Sequence, residues 1–202
     1  LDLFYYNVIL FMRLIIVDGL DGVGKDTHAL LIKKRYEDMG EKVVLRSHPT
    51  SDNFFGRKSK QALFGAGKLN KIKASLFYMF DVLRSVKKYY RRKDVDTLIM
   101  VRYLVGTAYL PSKIAGFGYK FFFNFVPTSK FMFFLDAPPE ELLKRVQSRS
   151  ELEMFETMKD FKKVRKIALG LVGDWYVIDT TGSVDETYSF IEEKLDLLDG
   201  KK

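Results

Sequence analysis

The sequence contains no cysteine, which excludes disulfides and thiolate metal sites and leaves a reducing cytosol as a permitted setting. Histidine is nearly as scarce. The only two, His28 and His48, stand far apart along the chain and read as local hydrogen-bonding groups rather than metal ligands. No nucleophile–histidine–acid arrangement and no cluster with metal-ligand spacing is visible. Long apolar runs are missing too. Residues 1–17 are rich in Leu, Ile, Phe and Tyr, but Asp2, Asn7 and Arg13 interrupt them. They fall short of the roughly 18 uninterrupted residues that a membrane span requires. The same segment has neither a basic start nor a small-residue cleavage site, so a secretory signal is not expected. Residues 117–135 are broken by Lys120, Asn124, Pro127 and Lys130, and read as a helix packed on a sheet followed by a buried strand. Repeats, low-complexity tracts and linkers are also absent. One domain over 1–202 is therefore expected, with residues 1–11, before Met12, an upstream extension or an added edge strand.

What is present is an ordinary globular composition, 47% hydrophobic and 30% charged, with a net charge of +8 that suits polyanionic ligands: nucleotides, nucleic acid or an anionic surface. Arg84, Lys87, Lys88, Arg91, Arg92 and Lys93 form a basic cluster that reads as a solvated helix end, favoured there by the helix dipole. Apolar strands and helical periods alternate along the chain. Strands are expected at 13–17, 42–45, 97–101, 131–135 and 175–178, and helices at 25–39, 72–90, 153–169 and 184–198, with a further helix opened by Asp136-Ala-Pro-Pro-Glu140. Continuous apolar strands separated by helices imply an α/β three-layer sandwich: a five-stranded, mostly parallel sheet with helices on both faces. Ligands in such folds sit beyond the carboxyl ends of the strands.

At the first of those ends lies Gly19-Leu-Asp-Gly-Val-Gly24-Lys25-Asp26-Thr27, with the Walker A spacing of a phosphate-binding loop. Glycines let backbone amides curl around an anion, the following helix adds its positive end, and the lysine meets the outer phosphates. The donor-nucleotide residues are then Gly19, Asp21, Gly22, Val23, Gly24, Lys25, Asp26 and Thr27. One position departs from the pattern: the residue after the lysine is Asp26, where a hydroxyl normally meets Mg²⁺. Three readings are open. Asp26 ligates the metal itself, it points away while Thr27 supplies a hydroxyl, or triphosphate binding is impaired.

The run Ile15-Ile-Val-Asp-Gly-Leu-Asp-Gly-Val-Gly-Lys25 resembles the opening of the thymidylate kinase family, P-loop nucleoside monophosphate kinases, as do Leu135-Asp136-Ala-Pro-Pro-Glu140 and Tyr176-Val-Ile-Asp179 at later strand ends. The resemblance runs from residue 13 to 198. It implies ATP-dependent phosphoryl transfer to a nucleoside monophosphate, ATP and Mg²⁺ as cofactors, nucleotide substrates, a homodimer and a cytoplasmic location, with no membrane partner and no call for nucleic acid. On this resemblance Lys25, Arg102 and Arg149 are the catalytic set. Arg149 lies in a lid segment over about 145–156, where Arg145 is the second candidate. Asp21, Arg46, Phe77, Asp81, Arg102 and Tyr109 form the acceptor site, Asp26 and Thr27 the metal site, and residues 180–183 the adenine side. Departures are visible: Arg46 sits one residue early, Asp81 stands where the family has a base-reading arginine, and Val101 stands where it has an aspartate. As an acceptor only, the Asp81 carboxylate suits a base amino group rather than a thymine carbonyl. Two rival readings follow from these departures: a kinase of a different small acceptor, and a nucleotide-binding protein with a degraded catalytic site.

Overall fold

The computed structural model describes residues 12–65, 68–110, 112–147 and 157–200. Five strands, β1 (Arg13–Gly19), β2 (Val43–Ser47), β3 (Thr97–Val101), β4 (Phe131–Asp136) and β5 (Tyr176–Asp179), form one sheet in the order β2-β3-β1-β4-β5. Every pairing is parallel. The central strands are apolar on both faces because helices cover both: Ile15, Ile16, Val17, Ile99, Met100, Phe133 and Phe134 are all fully buried. The helices are α1 (Lys25–Asp38), α2 (Phe54–Leu63), α3 (Lys68–Tyr89), α4 (Ser112–Phe125), α5 (Pro139–Gln147), α6 (Met158–Leu171) and α7 (Val184–Leu198), with a short 3-10 turn at Val105–Tyr109. Each of α1, α5, α6 and α7 sends a helical-period stripe into the core, such as Ala29, Ile32 and Tyr36 of α1 and Leu142 and Val146 of α5.

The sequence expectations hold for the sheet, with small shifts at element ends that matter for the site. β2 continues to Ser47, which carries Arg46 and Ser47 to the carboxyl edge. α6 runs from Met158, with Thr157 an extended N-cap whose hydroxyl accepts from the Asp160 amide at 3.2 Å, and residues 153–156 of the expected helix lie outside the described residues. α7 starts where expected, fixed by a capping box between Ser183 and Glu186. α2 was not foreseen. Asn53 caps it, its side-chain oxygen accepting from the Phe55 and Gly56 amides at 2.9 and 3.1 Å. A Cβ on Gly56 would stand 2.0 Å from the Thr50 carbonyl oxygen, so the helix lies directly on the loop after β2.

Candidate active site

The phosphate loop joins β1 to α1 at the carboxyl edge. Gly19 leaves the strand with φ +148, and a Cβ there would meet the Leu135 carbonyl oxygen at 2.3 Å, so the neighbouring β4 backbone admits only glycine. Gly22 and Gly24, at φ +88 and +84, complete a turn in which successive amides can line one concave side. Lys25 opens α1 with its side chain buried; Nζ donates to the Leu20 carbonyl at 2.5 Å and lies 3.6 Å from Asp21 Oδ1. Burial, then the nearby Arg102 charge, pull its pKa down to about 8 against the opposing pull of Asp21, Asp26 and Asp18.

Arg102 follows β3 at φ +52 and faces this loop. Its placement rests on Asp18 at the end of β1, a buried carboxylate that accepts the amides of Tyr103, Leu104 and Val105 at 3.1, 2.8 and 3.1 Å. Burial raises the Asp18 pKa in spite of those amides and of Lys25. The Arg102 carbonyl accepts from the Tyr78 hydroxyl. The guanidinium reaches two loop carboxylates: Nη1 lies 3.0 Å from Asp26 Oδ2 and Nη2 lies 3.3 Å from Asp21 Oδ1. Ser47 Oγ donates to Asp26 Oδ1 at 2.5 Å and accepts from Arg102 Nη1 at 3.3 Å. The Tyr109 hydroxyl donates to Asp21 Oδ2 at 3.1 Å. Burial works against ionisation of Asp21, but the charges of Lys25 and Arg102 and the Tyr109 bond outweigh it and bring its pKa to about 2. For Asp26 burial is likewise outweighed, by Arg102 and Ser47, and its carboxyl is held below the usual range.

Asp21, Lys25, Asp26, Arg102 and Tyr109 thus meet in one cluster. Asp21, Asp26, Arg102 and Tyr109 of this cluster line a cleft of about 920 Å³, together with His48 and the apolar Leu63, Leu76, Met79 and Phe122. Other expected site residues stand elsewhere. Phe77 does not line the cleft; it turns onto Phe54 of α2, ring centroids 6.0 Å apart, and the α3 ring that lines the cleft is Tyr78, one residue and about 100° further round the helix. Tyr78 lies against Gly106, where a Cβ would come within 2.8 Å of its ring. Asp81 is fully buried and reaches no ligand space, because its carboxylate accepts the Thr50 amide at 2.6 Å, the Thr50 hydroxyl at 2.8 Å and Asn53 Nδ2 at 2.6 Å. It anchors the loop rather than reading a base. Arg46 lines the cleft, but its guanidinium is drawn to Asp52 at 2.8 Å and over the Tyr89 ring at 4.9 Å.

On the donor side, Arg145 donates to the Thr180 carbonyl at 2.8 Å and the Gly22 carbonyl at 3.4 Å, and so ties the phosphate loop to the loop after β5. The Ser183 hydroxyl is taken up by the α7 cap. Arg149 lies outside the described residues. His48, buried, holds Nδ1 3.1 Å from the Val101 carbonyl oxygen, and burial lowers its pKa to about 4, so the ring is neutral at pH 7. Val101, which stands in place of an acid, is fully buried. Among the described residues no three His, Asp or Glu side chains gather into a metal site.

The sequence reading missed Asp18, Ser47 and Tyr78. Asp18 falls just past the strand expected over 13–17, and only the parallel pairing of β1 with β3 brings it to the Tyr103 amide. The model of the thymidylate kinase family matches residues 17–191. The chain belongs to the thymidylate kinase family. Curated relatives include a probable thymidylate kinase of Pyrococcus abyssi, 26% identical over 190 residues that cover 88% of this chain and 92% of the relative. Another is a thymidylate kinase of Xanthomonas oryzae pv. oryzae, 29% identical and covering 85% and 78%. A solved thymidylate kinase from Candida albicans superposes with a TM-score of 0.76 at 16% identity, covering 94% of this chain and 93% of that one, which shows the shared fold. Membership of the family makes the chain a nucleoside monophosphate kinase.

Proposed function

We propose that this chain transfers the γ-phosphoryl group of Mg-ATP to the phosphate of a nucleoside monophosphate lying in the cleft between Asp21 and Tyr78. The observation that carries this reading is the convergence of Lys25 and Arg102 on one carboxylate oxygen, 3.6 and 3.3 Å from Asp21 Oδ1, beside the phosphate loop. Lys25 and the amides of 22–27 serve the donor phosphates. Arg102 meets the acceptor phosphate, Asp21 with Tyr109 holds the sugar, and the Tyr78 ring flanks the base in the position first expected of Phe77. An acceptor phosphate oxygen bonds to the γ-phosphorus as the bond from that phosphorus to the β-bridging oxygen breaks, and ADP leaves. The protein's part is positioning and neutralisation of charge.

Mg²⁺ takes one or two carboxylates together with substrate phosphates and water. Asp26 and Thr27, adjacent and exposed in the first turn of α1, fit that requirement as the residues that would hold it. The ion would supply charge neutralisation on the transferred group. Arg149 in the lid segment is proposed as a further phosphate partner. The family resemblance supports a cytoplasmic homodimer. Phe54 of α2 and Ile72, Phe80 and Leu83 of α3, all exposed, give it an apolar face, and sedimentation velocity tests it.

Steady-state ADP release from Mg-ATP against a panel of nucleoside monophosphates tests the activity, with Lys25→Ala as control. Turnover with one or more acceptors, lost in the control, is expected. Absence of turnover with ATP binding retained would replace this reading with a nucleotide-binding protein. A second reading, a kinase of a different small phosphate acceptor, is favoured by one observation: neither Phe77 nor Asp81 lines the cleft. Turnover confined to phosphate acceptors other than nucleotides would establish it.

A further inference from the structure

Asp26 stands where the phosphate-loop pattern calls for a hydroxyl, and its two oxygens are both engaged across the cleft rather than along its own loop. Oδ2 takes an Arg102 N–H at 3.0 Å and Oδ1 takes the Ser47 hydroxyl at 2.5 Å. Three elements meet at this point: the start of α1, the end of β2 and the residue after β3. A guanidinium N–H and a hydroxyl presented side by side to two oxygens of one anion are the donors that a phosphate monoester also uses. We propose that Asp26 is a positioning residue that competes for the acceptor-phosphate seat, so that an incoming monoester must exchange with this carboxylate to reach Arg102 and Ser47. The inference rests on the reading that Arg102 serves the acceptor phosphate.

The geometry permits the exchange. The Asp26 side chain is 53% exposed and can swing into solvent, whereas Arg102 is held from the other side by Asp21 at 3.3 Å. Asp21 is itself fixed by Tyr109 at 3.1 Å and Lys25 at 3.6 Å. The Arg102 backbone is secured separately: its amide donates to the Val17 carbonyl at 3.2 Å, and the next three amides bind Asp18. Arg102 therefore keeps its place when Asp26 leaves. A carboxylate left close to the arriving phosphate dianion also repels it, so Asp26 opposes acceptor binding both by occupancy and by charge.

The seat reads phosphate and not base, which sets the form of the test. Thymidine monophosphate and deoxycytidine monophosphate are titrated calorimetrically into the wild-type chain, Asp26→Asn and Asp26→Ser without donor nucleotide, with melting curves to confirm folding. A half-exposed ion pair shifts such an equilibrium by about five-fold, so both variants should bind both nucleotides about five-fold more tightly than wild type. A gain in affinity is the outcome that a merely structural role cannot produce. Unchanged or weakened binding in folded Asp26 variants would overturn the proposal while leaving the acceptor reading intact. An Arg102→Gln variant separates the two: if it binds the nucleotides as well as wild type does, Arg102 is not the acceptor-phosphate residue and the inference falls with that reading.

Discussion

Lys25 carries its ammonium into a buried position where its partners are the Leu20 carbonyl and the Asp21 carboxylate it shares with Arg102. With its pKa lowered to about 8, a sizeable fraction is neutral at that pH. Donor phosphates favour the cation and raise the pKa again, so binding near pH 8 must take up a proton. Calorimetric titration of Mg-ATP in two buffers of different ionisation enthalpy should show an uptake of about half a proton at pH 8, fading toward pH 6. Release of protons, or no buffer dependence, would contradict the burial-driven shift. Val101 and Asp18 are linked at the same scale. The acid that the family pattern places at 101 is missing, and the nearby buried carboxylate, Asp18, is committed to three backbone amides. It is a scaffold for Arg102 rather than a free ligand.

Between elements, the acceptor side of the cleft depends on α3 holding the loop after β2. Asp81 is the link, accepting three hydrogen bonds from Thr50 and Asn53, and Asn53 in turn caps α2. Asp81→Ala takes the partner from the buried Thr50 amide and leaves the Thr50 hydroxyl and Asn53 Nδ2 with only their bonds inside the loop, to Asp52 and to each other. It should cost about 2–4 kcal/mol of stability and raise the acceptor KM more than the ATP KM, measured by denaturant unfolding and by separate substrate titrations. A loss of turnover with stability unchanged would instead place Asp81 in contact with substrate. The sheet and α1 were legible in the residues because apolar runs and helical periods are local signals. The Phe77/Tyr78 choice was not: both are aromatic, both fit the helical period of α3, and only the rotation of that helix against Gly106 and α2 selects the one that faces the cleft.

Across the whole molecule, several carboxyls at the site are held below their ordinary range: Asp21 at about 2, Asp26 by Arg102 and Ser47, and Asp52 by its bond to Arg46. A depressed folded pKa contributes stability that is fully present above the unfolded value. For Asp21 that value is 3.8, and the contribution is lost as pH falls through about 2. The melting temperature should therefore decline from about pH 4.5 downward. Asp21→Asn should be less stable than wild type at pH 7 and should show a shallower acid decline. An identical acid profile in the variant would remove Asp21 from the account.

By itself the sequence determined the parallel five-stranded core, the phosphate loop at the end of β1 and the family. These depend on residue types at short, fixed spacings: buried β-branched and aromatic runs, glycines at turn positions, a lysine one place beyond the last of them. The partner of each charged residue was decided only by the tertiary structure. Asp26 pairs with Arg102 across 76 positions and Asp21 with Tyr109 across 88, and Asp81 turns inward to Thr50, because strand order and helix rotation set those distances. Ion pairs and hydrogen bonds reach only about 3 Å, so no pattern along the chain encodes which of many carboxylates a given arginine will meet.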